Sequence, residues 1–230
     1  MACFERLGSP GWDALEDAVA AAREHGLLVI ADGKRGDVPV TAAAYAQALV
    51  GSTDTPFGPV AGLGADAITA NPLLGRDALE PFTDAAGTAG AGVFVLVRTS
   101  NPGAAEVQDE PKDGPLHERL ARLVDSIGAD HVGESGLSSI GAVTGATRPD
   151  LLARLRELMP AAVFLLPGVG AQGGGVDDLA PAFERHPAGG LIAASRSIVN
   201  AADETGGDPA RAAAEAAEAL RAAAWQRATT

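Results

Sequence analysis

Cysteine is all but missing from this chain. Its single copy, Cys3, excludes an intramolecular disulfide framework and any cysteine-based metal cluster. So close to the terminus, it reads as an inert thiol. Basic runs are missing too, and the formal net charge is −13. That balance argues against nucleic acid or an anionic membrane as the main partner. No apolar run reaches the ~20 residues needed to cross a bilayer. The opening, "MACFERLGSPGW", has neither the basic n-region nor the apolar h-region of a secretory signal, so a cytoplasmic protein is expected. The histidines, His25, His117, His131 and His186, are scattered without ligand spacing, and no metal is expected.

What is present is a sizeable apolar fraction, 47% of 230 residues, and a repeating pattern. Short apolar runs recur at 27–32, 65–71, 92–100, 139–147, 162–170 and 190–195. They are nearly continuous rather than alternating, which suits strands covered on both faces in a parallel sheet. Helices are predicted between them, over 10–25, 41–50, 76–89, 115–128, 150–158, 175–185 and 208–225. The first has Ser9 as N-cap, Pro10 in its first turn, an apolar stripe of Trp12, Leu15, Val19 and Ala22, and Gly26 as its stop. Residues 101–114 read as a mobile polar loop and 129–138 as weakly ordered. The alternation continues from end to end, so 1–230 is expected to be a single domain.

Repeated strand–helix units give either an open doubly wound sheet or a closed barrel. The chain opens with a helix that no strand precedes. An eight-unit barrel of ~250 residues spends ~31 per unit. On that count the six strands are the third to the eighth, and roughly 45 residues of such a barrel would precede Met1.

The stretch "LLVIADGKRGDVPVTAAAYAQAL", residues 27–49, carries an apolar run into Asp32, Lys34, Arg35 and Asp37. Asp32 and Lys34 are two apart, so a strand presents them on one face. The C-terminal ends of barrel strands form the catalytic face. A lysine held beside carboxylates stays protonated and serves as a proton donor or an electrostatic clamp. A solvated charged turn is the competing reading. The buried run before it and Thr41 at the next helix weigh against that. Near the C-terminus, "LLPGVGAQGGG" (165–175) precedes "GLIAASRSI" (190–198). Gly168, Gly170 and Gly173 let backbone N–H groups approach an anion, Gln172 donates hydrogen bonds, and Arg196 grips phosphate bidentately. Barrels often hold a phosphate there, at a short helix N-terminus. Taken alone, the glycine-rich loop is equally a plain turn. "VRTSNPG" (97–103) offers Ser100 and Asn101 to a heterocycle or as loop caps, and Asn71-Pro72 reads as a turn.

Four of these stretches, "DGKRGDVPVTAAAY", "RTSNPG", "PGVGAQGG" and "ASRSI", resemble orotidine 5'-phosphate decarboxylases, most closely their long-loop bacterial subfamily. They occur in the family's order, and the similarity runs over essentially the whole chain. The resemblance implies a TIM (β/α)8 barrel that converts orotidine 5'-phosphate to UMP in pyrimidine biosynthesis without cofactor or metal. It implies that Lys34 protonates C6 as CO2 leaves and that Asp32 belongs to the charged network beside the substrate carboxylate. Asp37 and Thr41 would reach the neighbouring subunit's site in a homodimer. Ser100 would read the pyrimidine edge, and Gln172, Gly170 and Arg196 would hold the phosphate.

The family also carries an Asp after strand one and a Lys after strand two. Its segment just past that Lys resembles "ACFERLG" (2–8), which puts both residues upstream of Met1. The chain therefore reads as an N-terminally incomplete barrel, with weak or no activity and poor solubility expected of it alone. A catalytically impaired or non-catalytic phosphate-binding barrel is the alternative. Hexulose-phosphate synthase and keto-gulonate-phosphate decarboxylase share the Asp-x-Lys-x-x-Asp spacing but match "RTSNPG" and "PGVGAQGG" less well. They use a metal, so sensitivity to EDTA separates them.

Overall fold

The computed structural model describes residues 1–170 and 173–229, in two compact units, Met1–Leu96 and Val97–Thr230. The first unit opens with a one-turn helix, α1 (Ala2–Glu5), and the longer α2 (Ser9–Glu24). The N-cap of α2 is Gly8 rather than Ser9, which is already helical. Leu15 and Val19 are buried, whereas Trp12 is 37% exposed, so the buried stripe is narrower than the periodicity predicts. Then come β1 (Ile30–Arg35), α3 (Pro39–Leu49), a small antiparallel hairpin of β2 (Ser52–Thr53) and β3 (Val60–Ala61), β4 (Ala67–Ala70), α4 (Arg76–Ala89) and β5 (Gly92–Arg98). β4 pairs in parallel with β1 on one side and β5 on the other. Every residue of β4 is buried, as a strand covered on both faces requires. Ile68, Leu79, Phe82, Val93 and Val95 are fully buried and form the core of this unit. Each such side chain contributes about 1.5–3 kcal/mol by leaving water.

The second unit receives the end of β5 and continues with α5 (Ala104–Gln108), α6 (Leu116–Gly128), β6 (Ser138–Thr144), α7 (Pro149–Leu158), β7 (Ala162–Pro167) and β8 (Gly190–Ala193). It closes with α8 (Arg196–Val199), α9 (Ala201–Thr205) and α10 (Pro209–Ala228). β7 lies between β6 and β8, both parallel to it. Ile140, Leu152, Leu155, Phe164, Leu166 and Leu179 fill the core. Two sequence expectations change here. Residues 101–114 are not simply a polar loop, because α5 forms within them and Asp109 is anchored by ion pairs with Arg98 and Arg148. The helix predicted over 175–185 is a 3-10 turn, Asp177–Ala182, with Pro181 inside it. Proline lacks the N–H that a longer α-helix needs there.

Arg156 on α7 is 2% exposed and points inward. Its Nη1 donates to the carbonyls of Met159 (3.0 Å), Pro160 (3.4 Å) and Ala162 (2.7 Å). Its Nη2 donates to those of Ala182 (2.7 Å) and Gly189 (2.9 Å). The guanidinium stacks 3.8 Å from the Phe164 ring centroid. Burial, and then the nearby Arg185 charge, pull its pKa down to about 10, so it remains a cation at neutral pH. One side chain thus ties the end of α7, the start of β7, the 3-10 turn and the entry to β8. No described helix is long and apolar enough to cross a membrane.

Candidate active site

β1 does not run evenly to its end. Ala31 pairs with Ile68 and Arg35 with Ala70, so four steps along β1 match two along β4, and the surplus bulges out. Lys34 sits in that bulge with φ 49°, the only positive-φ residue other than glycine among those described. Such a conformation costs on the order of 1–3 kcal/mol for a residue with a Cβ. It turns the Lys34 N–H onto Thr69 Oγ1 at 2.8 Å. The Lys34 ammonium donates to Asp32 Oδ1 at 2.6 Å and Oδ2 at 2.7 Å. The Thr69 hydroxyl donates to the same Asp32 Oδ1 at 2.9 Å. Simple alternation predicts Asp32 and Lys34 on one face. The two side chains do meet, through a bulge rather than a regular pleat. Both are about half exposed, 51% and 48%. An ion pair that open to water contributes about 0–1 kcal/mol and does not offset the backbone strain. Strain kept where stability gains nothing from it points to function.

Asp37 lies on the loop after β1, and its Oδ1 accepts the Val38 N–H at 2.8 Å. Thr41 is in the first turn of α3, which begins at Pro39, and its hydroxyl donates to the Val38 carbonyl at 3.1 Å. Both therefore shape the start of α3. Arg35 pairs with Glu5 of α1 and lies 5.5 Å from the Tyr45 ring centroid.

In the second unit, Ser100, Asn101 and Arg196 line one cleft of ≈ 590 Å³, together with Arg98, Thr147 and Arg148. Ser100 is held by close backbone contact. The Thr147 hydroxyl donates to its carbonyl at 3.1 Å, and a Cβ on Gly145 would lie 2.8 Å from its backbone N. Asn101 accepts a hydrogen bond from the Thr99 hydroxyl at 2.7 Å, so it serves its own loop. Gly170 has φ 75°, a left-handed conformation that favours glycine, and a Cβ there would touch Ser197 Oγ at 3.5 Å. Gln172 lies outside the described residues. Among the described residues no group of three or more His, Cys, Asp or Glu is gathered to hold a metal.

Asp109 ties together two arginines that line this cleft, Arg98 and Arg148. It accepts from Arg98 Nε (2.9 Å) and Arg148 Nη1 (3.0 Å), and His117 Nδ1 is 3.2 Å away. The hydrogen bond from Arg98, reinforced by the charges of Arg98, Arg148 and His117, holds its carboxyl below the usual carboxylate range despite burial. A carboxyl depressed in the folded state stabilises the protein above its unfolded pKa of about 3.9. That contribution is lost as pH falls through the folded pKa. Thermal melts of the parent chain should therefore fall steeply below about pH 4, and Asp109→Asn melts should depend less on pH there. At neutral pH Asp109→Asn should cost about 3 kcal/mol, because Arg98 is left buried without its partner. Equal acid sensitivity in both chains would show that Asp109 is not the group responsible.

Sequence patterns and the family resemblance pointed to Asp32, Lys34, Asp37, Thr41, Ser100, Gly170, Gln172 and Arg196. They missed Thr69, Gly145 and the Arg98–Asp109–Arg148 cluster, none of which carries a spacing signal.

Parallel strands alternating with helices, and a strained lysine gripped by a carboxylate at the end of its strand, define an α/β protein with a charged site at a strand end. A family model described as "Orotidine 5'-phosphate decarboxylase / HUMPS family" matches residues 1–216. The chain belongs to that family. It is 46% identical over 221 residues to an orotidine 5'-phosphate decarboxylase of Deinococcus radiodurans, covering 96% of this chain and 75% of that one. It is 44% identical over 199 residues to the Rhodopirellula baltica protein of the same name, covering 86% of this chain. The chain spans 65% of that relative's length. The solved structure of Leishmania donovani OMP decarboxylase superimposes with TM-score 0.69 at 34% identity, over 97% of this chain and 79% of that one. The fold is accordingly that of the decarboxylase barrels.

Proposed function

We propose that this chain, 1–230, supplies the six-stranded decarboxylase barrel domain of a carboxy-lyase that converts orotidine 5'-phosphate to UMP. The observation that carries the reading is the Lys34 ammonium held by both oxygens of Asp32 on a strained bulge. The bond from C6 to the carboxylate breaks, CO2 leaves, and the electron pair stays on C6. The Lys34 ammonium gives C6 a proton and regains one from water. Asp32 fixes a negative charge beside the departing carboxylate and keeps the ammonium aimed, an arrangement that favours the transition state over the ground state. No electron sink is needed beyond the pyrimidine and the ammonium, so no cofactor or metal takes part.

Arg196, Gln172 and Gly170 hold the phosphate, and Ser100 reads the pyrimidine edge. Asp37 and Thr41 serve the partner subunit's site in a homodimer, and the enzyme works in the cytoplasm. The support for these roles is the family membership and the cleft shared by Ser100 and Arg196. Because phosphate binding lowers the barrier at a distant carbon, Arg196→Ala should lower kcat/KM for the nucleotide about 10- to 100-fold. It should leave turnover of the bare nucleoside unchanged. Steady-state assays on both substrates check this, and equal losses would refute a phosphate role.

A further inference from the structure

We propose that Thr69 is a positioning residue: its one hydroxyl sets both the backbone of Lys34 and the carboxylate of Asp32. The catalytic consequence rests on the decarboxylase reading above, whereas the geometry stands without it. Thr69 lies on β4, where all four residues are buried, and is itself 0% exposed. For packing alone, valine has the same shape. The hydroxyl is therefore surplus to the strand, yet both of its bonds go to the chemistry-bearing stretch of β1.

The direction of each bond is fixed by elementary chemistry. The Lys34 N–H can only donate, so Thr69 Oγ1 accepts from it at 2.8 Å. The ionised carboxylate can only accept, so the Thr69 proton points at Asp32 Oδ1, 2.9 Å away. Asp32 Oδ1 also receives the Lys34 ammonium at 2.6 Å. The bonds close a ring: Lys34 N–H to Thr69, Thr69 to Asp32, and Asp32 back to Lys34 Nζ. Each bond polarises the next. The ring holds two degrees of freedom at once. It fixes the left-handed backbone at Lys34, which the β1 ladder leaves unpaired at the bulge, and it fixes the rotation of the Asp32 carboxylate. Without the hydroxyl, the Lys34 N–H loses its acceptor and Asp32 is oriented only by the ammonium it is meant to aim.

The test uses Thr69→Val and Thr69→Ser in the same chain, with circular dichroism to verify the fold. Thr69→Ala is a second variant lacking the hydroxyl, should valine disturb packing. The chain has only two lysines, Lys34 and Lys112, so Lys112 in its exposed loop is an internal reference. Acetic anhydride at limiting dose, read by mass spectrometry, gives the ratio of acetylated Lys34 to acetylated Lys112. That ratio should rise about threefold or more in Thr69→Val and return to the parent value in Thr69→Ser. In steady-state assays Thr69→Val should lower kcat about tenfold or more with KM within about twofold, and Thr69→Ser should restore kcat. An unchanged labelling ratio in a folded valine or alanine variant overturns the proposal, as does a serine variant that behaves like valine. A shifted ratio with unchanged kcat overturns its catalytic part. Absence of CO2 release from the chain extended upstream by the family's first two strands counts against the decarboxylase reading, and the labelling ratio still decides the role of Thr69.

Discussion

In a chain extended upstream by the family's first two strands, Lys34→Ala should bring CO2 release from orotidine 5'-phosphate to background, a loss of about 10⁴-fold or more. A positioned proton donor contributes 10²–10⁴-fold, and removing a fixed charge from the reacting centre adds to that. Stability should change by less than about 1 kcal/mol, because the Lys34 side chain is 48% exposed and its ion pair is open to water. The two readouts together separate chemistry from folding. Lys34→Arg is the sharper companion variant. It keeps the positive charge but replaces a compact ammonium with a planar group that does not give up its proton. It should stay within about tenfold of the alanine variant. Either substitution retaining activity within tenfold of the parent would remove Lys34 from the reaction.

Arg156→Leu should be the most destabilising single substitution in the second unit, at about 3–5 kcal/mol by urea unfolding. Five carbonyls surround the guanidinium, and removing it leaves them buried without a donor. The Phe164 ring loses its cation as well. The change lies in the frame of β7 and β8, from which the glycine-rich loop and Arg196 extend. It should therefore lower affinity for the nucleotide phosphate more than it alters the Lys34–Asp32 pair. A loss below about 1 kcal/mol would show that water satisfies those carbonyls as well as the arginine does.

The strands and the main helices were legible because burial on both faces leaves continuous apolar runs. The clearest case is α4, predicted over 76–89 and found there, between Gly75 and Gly90. β1 was less so. The run at 27–32 pointed to a strand three residues too early, and Leu27 and Leu28 are 61% and 83% exposed. The strand instead carries its charged residues within it, since the bulge at Lys34 extends pairing to Arg35. The hairpin of β2 and β3 has two residues per strand, too few for any periodicity. Arg156 reads as a polar position on α7, because the carbonyls that justify its burial come from four separate places in the chain. Thr69 reads as an ordinary strand residue until β4 pairs with β1. The lysine and carboxylates proposed for catalysis were visible because they are close in sequence. The residues that hold them are close only in space.

The most direct measurement follows the chain, extended upstream by the family's first two strands, with orotidine 5'-phosphate carrying ¹³C in its carboxylate, in D2O, with and without Lys34. The expected result is release of ¹³CO2 matched one for one by UMP carrying deuterium at C6, with both falling to background in Lys34→Ala. No ¹³CO2 from the extended parent, or turnover that survives the loss of Lys34, would contradict the assignment.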